Sequence, residues 1–290
     1  MSKVKVGEIY ELKEGGSATV IEYEHSDRVL IRHNDNYRYE QRVQAGHLKR
    51  GNVKNPYHPS VYGVGYLGVG NYRASEGRKH LPAYKKWQSM IERCYSEKYQ
   101  TKKPSYIGCT VDKQWHNFQN FADWFYSDPR HNLGYELDKD VLIAGNKIYS
   151  SKTCALVPSE INIFAKGYAK NNGLPIGVGF RNGSYSARVY KNGKSQWIGS
   201  YSELKEAVDA YASARNYYAR KLSKHWKNKV SYAVYMALAN WNELNNSKMV
   251  DGKFEFDDNG KIAKPDSYSK PDLTPFISTM QNLHKGGDCE

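Results

Sequence analysis

The chain reads as an α+β multidomain protein, and three observations predict that class. Three short β-like runs at 176–181, 185–190 and 196–201 are separated by Asn182-Gly183 and Asn192-Gly193 turns and followed by a helical period. The first fifty residues alternate apolar and polar side chains in short runs broken by turn residues. Between 82 and 165, aromatic side chains recur at helical spacing on two segments. A length of 290 residues accommodates two or three modest domains.

In chain order, 1–50 is expected to form a small β-barrel of five short strands. Its runs around Ile9, Val20, Ile31 and Arg42 are split at Gly15-Gly16, Ser26-Asp27 and Asn34-Asp35-Asn36. Such barrels bind nucleic acid or peptides, or serve as packing modules. Residues 51–81 are rich in Gly, Tyr and Asn and lack a helical period, so they predict an extended linker or interdomain strap. In 82–170, a helix after Pro82 carries Tyr84, Trp87, Met90, Ile91 and Cys94 on one face. A second helix carries Trp115, Phe118, Phe121, Trp124 and Phe125, and a strand–turn–strand leads to a short helix at 158–165. Those aromatics are most simply core.

Residues 171–230 hold the three β runs and a helix with Ser202 as N-cap and an acidic first turn at Glu203 and Glu206. Leu204, Ala207, Val208, Tyr211 and Ala214 give that helix one apolar face to lie on the sheet. Residues 231–246 predict a C-terminal helix. Residues 247–290 predict a polar, partly disordered tail with a short amphipathic piece around Phe276.

Charge points to a polyanionic partner. The chain has 43 Lys and Arg against 30 Asp and Glu, a net charge of +13, with an isoelectric point near 9.3. The excess clusters in and after the sheet, at Lys166, Lys170, Lys191, Lys194, Arg215 and Lys221 among others. Period-two alternation places Arg181, Arg188, Tyr190 and Trp197 on the sheet face away from the helix. Guanidinium forks beside aromatic rings suit guanine edges, phosphates and thymine methyl groups, and a small sheet can enter the major groove. The 25 tyrosines suit stacking on bases as well as core packing.

The polar start Met-Ser-Lys-Val-Lys predicts no secretory leader, and no apolar run is long enough to cross a membrane. Cys94, Cys109, Cys154 and Cys289 show neither zinc-ligand pairs nor a disulfide pattern, so a reducing cytoplasm is the expected compartment. Monomer and dimer both remain open.

Two family resemblances sharpen these expectations. The order G-V-x-F-R, Y-x-A-R-V, W-I-G-S-Y, E-A-V-x-A-Y-x-x-A closely resembles the DNA-binding domain of the plant Apetala2/ethylene-response-factor type, which also occurs in phage and bacterial homing endonucleases. The resemblance covers about one-seventh of the chain. It implies that Arg181, Tyr185, Arg188, Tyr190 and Trp197 contact double-stranded DNA, with Lys191 and Lys194 beside them. Tyr185 stands where the plant proteins usually have Trp, and Arg188 where they often have Glu.

The second runs W-x-x-M-x-x-R-C-Y, G-C-T-V-x-x-x-W-x-x-F-x-x-F, L-D-K-D, G-N-K-x-Y-S and N, and resembles phage homing endonucleases of the His-Asn-His (HNH) type. It implies a ββα-metal centre in which a side chain on the first strand and one on the helix hold Mg2+ or another divalent cation. Asp138 takes the first ligand position, Lys139 falls where a histidine base is expected, Thr153 falls near the usual Asn, and Asn162 lies on the helix. Asp140 and Asn146 are further ligands or loop formers.

No histidine lies between Asp138 and Asn162; His116 and His131 precede the first strand. A lysine between two carboxylates suits holding a phosphate better than taking a proton from water. Three functions follow from these features. One is a site-occupying DNA binder, such as a repressor of phage or mobile-element genes in a bacterial cell. The second is an active metal-dependent HNH endonuclease, and the third a weak nucleic-acid-binding structural protein.

Overall fold

A computed structural model describes residues 3–166, 174–191 and 194–243. The Asn192-Gly193 turn, Lys170, Cys289 and the expectations for 247–290 lie outside the described residues. The described chain is mixed α and β, with several small antiparallel sheets and seven α-helices. None of its helices is long and apolar enough to cross a membrane.

The N-terminal unit is an antiparallel meander of β1 (Ile9–Glu11), β2 (Ser17–His25), β3 (Arg28–His33) and β4 (Glu40–Val43), in the order β1-β2-β3-β4. Val29, Ile31 and His33 alternate inward along β3, and Val20 and Ala18 of β2 meet them in a core of their own. Five strands were expected and four form. In place of the fifth, α1 (Ala45–Lys49) turns inward and plugs the core with Ala45 and Leu48. The sheet is therefore an open meander closed at one end by a helix.

The Gly- and Tyr-rich strap after it packs firmly. Tyr66 N–H donates to the His116 carbonyl and Phe118 N–H donates back to Tyr66, so the strap adds a parallel bridge to the middle unit. Glycine permits that approach. A Cβ on Gly65 would come within 2.8 Å of the Trp87 ring, and one on Gly68 (φ +67°) would collide with the Asn117 side chain. Tyr37 of the N-terminal unit stacks on Tyr57 of the strap at 4.3 Å and donates to Tyr66 at 2.7 Å, which ties the two regions together.

In the middle unit, a small hairpin, β5 (Ser75–Glu76) and β6 (Lys79–His80), precedes α2 (Pro82–Tyr95), with Pro82 in its first turn. Then come α3 (Glu97–Lys102), β7 (Thr110–Val111), α4 (Phe118–Ser127), β8 (Glu136–Asp138), β9 (Ile148–Tyr149), β10 (Ala155–Val157) and α5 (Ser159–Lys166). Strands β8 and β10 pair antiparallel, with Ala155 opposite Asp138, while β7 and β9 pair in parallel.

Trp87, Met90, Ile91, Phe118, Phe121, Phe125, Leu156 and Ile161 are buried together. Trp115 was expected on α4 but lies in the preceding 3-10 turn, because Asn117 caps α4 by accepting from the Gln119 N–H.

Strands β11 (Val178–Arg181), β12 (Ser184–Lys191) and β13 (Lys194–Tyr201) form an antiparallel sheet in chain order. Asn182 and Gly183 both take positive φ, as a tight hairpin turn between right-twisted strands requires. The following helix, α6, spans Leu204–Trp226. Its N-cap is Glu203 rather than Ser202, because Glu203 and Glu206 close a reciprocal capping box.

The first half of α6 packs Leu204, Ala207, Val208 and Tyr211 on the sheet, and its second half packs Tyr218, Ala219 and Leu222 into the middle core. α7 (Tyr232–Ala239), capped by Ser231, joins that core through Val234 and Leu238. It ends earlier than the 231–246 segment predicted, at Asn240, where the chain turns so that Trp241 and Glu243 point inward.

Candidate nucleic-acid interface

The outer face of the β11-β12-β13 sheet follows from register. Val178, Ala187 and Val189 are buried against α6, so Arg181, Ser184, Ser186, Arg188 and Tyr190 project the other way. Arg188 lies opposite Trp197 and Tyr190 opposite Ser195, which carries that face onto β13. A bulge between Ala187 and Arg188 lets Ile198 return to the helix side while Trp197 faces outward, 63% exposed. Arg181 and Arg188 are exposed and form no ion pair among the described residues.

A cleft of about 490 Å3 is lined from this face by Arg181, Ser186, Arg188, Tyr190 and Ser195, and also by Ile163 of α5 and by Tyr211 and Arg215 of the following helix. Four expected contacts, Arg181, Arg188, Tyr190 and Trp197, thus share one surface. The small hydroxyls Ser186 and Ser195 belong to it too; strand parity with Arg188 and Tyr190 would have found them.

Three expected contacts sit elsewhere. Tyr185 has the parity of Ala187, so it lies on the helix side, half-buried against the sheet's core and 4.7 Å from the Phe180 ring. Lys191 has the same parity and holds its ammonium 5.3 Å from the Tyr218 ring of α6. Lys194 pairs with Lys191 at the strand end, on that same side by register. In this sheet, pleat parity turns these three side chains away from the outer face.

The strand–turn–strand–helix around Asp138 is a packed loop structure. Asp138 is 3% exposed, and its Oδ1 accepts from the Asp140 N–H at 2.9 Å and the Val141 N–H at 2.6 Å. Burial first, and the Asp140 charge second, push its carboxyl up to about 6 against those two donors. Lys139 is also buried, its Nζ 2.7 Å from Asp140 Oδ1 and 2.6 Å from the Asn146 carbonyl. Asn146 in turn donates to the Lys139 and Ile148 carbonyls, and Thr153 Oγ1 donates to Ile148. Asn146 and Thr153 are therefore loop formers.

Asn162 of α5 donates not toward Asp138 but to Glu136, a residue the sequence reasoning passed over. Its Oδ1 is buried without a partner among the described residues. His116 is engaged with the Val111 carbonyl, and His131 with the Asp128 carbonyl. Cys94, Cys109 and Cys154 are buried free thiols, as expected of core residues.

A divalent cation does not fit this arrangement. The Asp138 oxygen that faces the turn is taken by two backbone donors, and the Lys139 ammonium already stands beside Asp140 where a cation would have to bind. Among the described residues no three His, Cys, Asp or Glu side chains converge. The buried lysine, engaged with Asp140 and the Asn146 carbonyl, is likewise no free phosphate contact.

No protein-family model, curated protein or solved structure matches this chain.

Proposed function

We propose that this chain is a sequence-specific double-stranded DNA-binding protein that acts by occupying its site, for instance as a repressor of phage or mobile-element genes. In this reading the 174–230 region is an Apetala2-like DNA-reading module, the middle unit a homing-endonuclease ββα fold that has lost its chemistry, and the N-terminal meander an accessory module.

The observation that carries it is the outer sheet face. Two exposed guanidinium groups without ion pairs, Arg181 and Arg188, stand beside the exposed Trp197 and the half-buried Tyr190. Three strands at about 4.8 Å spacing make a surface roughly 10 Å wide, which suits a major groove about 12 Å wide. Arginine forks there can reach guanine edges, while serine hydroxyls and the net positive charge hold phosphates. The ion pair of Lys139 with Asp140 supports site occupancy over cleavage, since it neutralises the acid that a nuclease would need for its cation.

Genomic fragments of the source and of its phages would be selected for binding, and the tightest site incubated with magnesium or manganese. Specific retention with intact DNA is the expected result. A discrete nick or break that disappears in Asp138→Ala would assign an endonuclease instead. Equal affinity for all fragments would leave only a basic surface.

A further inference from the structure

Between Asp209 and Glu243 the chain carries no acidic residue, while Arg215, Arg220, Lys221, Lys224, Lys227 and Lys229 fall within that span. Arg215 is buried and neutralised by Glu243. The others are exposed, and none forms an ion pair among the described residues.

Tyr217, Arg220, Lys221 and Lys224 follow i, i+3, i+4, i+7 spacing, which makes one stripe along the exposed second half of α6. Tyr217 is 57% exposed, with the Lys221 ammonium 4.8 Å from its ring centre. Beyond the stripe, Lys227 approaches Tyr235 and Lys229 approaches Trp226. Glu160, the carboxylate that α6 covers, is occupied by the Tyr218 hydroxyl and the Trp226 indole N–H and offers the stripe nothing.

The direction of the stripe matters. At about 100° per residue, its four side chains average about 140° from Leu204, Ala207, Val208 and Tyr211, which lie on the sheet. The stripe therefore faces away from the sheet, and the thickness of the helix, about 10 Å, separates it from any duplex seated on the outer sheet face. Ammonium and guanidinium groups without ion pairs beside an exposed aromatic ring, on a stretch of chain that carries no acid, complement a phosphate backbone.

We infer that the Tyr217–Arg220–Lys221–Lys224 stripe holds the phosphates of a second DNA duplex, so that one molecule bridges two segments of DNA. The inference rests on the DNA-binding reading of the sheet. It adds a sequence-independent face on the opposite side, suited to pairing distant segments around an occupied site.

The test immobilises a duplex carrying the selected site, saturates it with the full-length protein, washes, and adds a labelled duplex of unrelated sequence. Wild type retains the second duplex in a salt-sensitive manner. The triple variant Arg220→Gln, Lys221→Gln, Lys224→Gln loses that retention roughly tenfold or more. Its affinity for the immobilised site and its melting temperature stay unchanged, since the three side chains are exposed.

Three results overturn the inference while leaving the sheet's role intact. Wild type retains no second duplex; or the triple variant retains it as well as wild type does, as a second copy's sheet would cause; or the triple variant loses affinity for the first site, which places the stripe on the same duplex. An immobilised site that takes up no protein is a different outcome, and it overturns the reading of the sheet along with this one.

Discussion

Arg188 and Lys139 are both cations in a basic chain, and their surroundings assign them opposite tasks. Arg188 is exposed and unpaired opposite Trp197, whereas Lys139 is buried between Asp140 and a backbone carbonyl. Arg188→Ala is expected to cost about 1–3 kcal/mol of specific binding and to relax one base position, as read on a panel of singly substituted sites. Equal weakening on every site would instead make it a phosphate contact. Lys139→Ala is expected to leave the salt dependence of DNA binding unchanged and to lower stability by roughly 1–3 kcal/mol, because Asp140 loses its partner. Urea unfolding beside a salt titration separates the two effects.

Asp138 adds a pH dependence. Its folded-state carboxyl sits at about 6, above the ordinary value of about 3.9, so the folded chain binds this proton more tightly than the unfolded one. The stability that the proton contributes is fully present below about pH 4 and is lost as pH rises through about 6, by about 3 kcal/mol at most. Asp138→Asn keeps an acceptor for the two turn N–H groups without a buried charge. It is expected to flatten this slope and to raise the melting temperature at neutral pH; an unchanged slope would place the titration elsewhere.

At the scale of elements, the sheet depends on where its first strand begins. Gly177 has φ +81°, and a Cβ there would collide with the Tyr211 ring and come 2.8 Å from the Arg188 carbonyl oxygen. Gly177→Ala is expected to destabilise the sheet and α6 by roughly 2–4 kcal/mol, through strain at a left-handed position and overpacking against the helix. Because the Arg188 N–H donates to the Gly177 carbonyl at 2.7 Å, the same change should also weaken specific DNA binding. Urea unfolding and site affinity, measured on one preparation, check both.

The Asn182-Gly183 turn, the alternation and the helical stripe made this unit legible in the sequence, since each is local chemistry. The helix-side positions of Tyr185 and Lys191 were legible as well, since both have the opposite parity to Arg188 and Tyr190; the bulge that returns Ile198 to the helix side was not, because it is set by pairing between strands.

Across the whole molecule, α6 joins two cores. One face of a 23-residue helix packs on the sheet at its start and in the middle core at its end, with Tyr218 and Trp226 both donating to Glu160 of α5. The sheet and the middle unit are therefore expected to unfold together. Ser213→Pro, at an exposed position between the two contacts, removes one helix hydrogen bond and costs about 3 kcal/mol. It should split one unfolding transition into two, as seen by tryptophan fluorescence and far-ultraviolet circular dichroism. Two transitions already present in the unmodified protein would show that the helix does not couple them.

The sequence by itself determined the α+β class, the outer-face arginines and tryptophan, and the basic excess, because hydrophobic period, turn residues and net charge act over a few neighbouring positions. It also carried the acid-free span of α6 in plain view. Only the tertiary structure decided that Lys139 is locked in an ion pair, that Asn162 faces Glu136, that α1 replaces a fifth strand, and that the α6 stripe points away from the sheet. Asn162 and Glu136 are distant in sequence and α1 is set by the core that it plugs, whereas Lys139 and Asp140 are neighbours whose pairing follows from the burial of their loop. In the middle unit that burial left a carboxylate and a lysine satisfying their own loop.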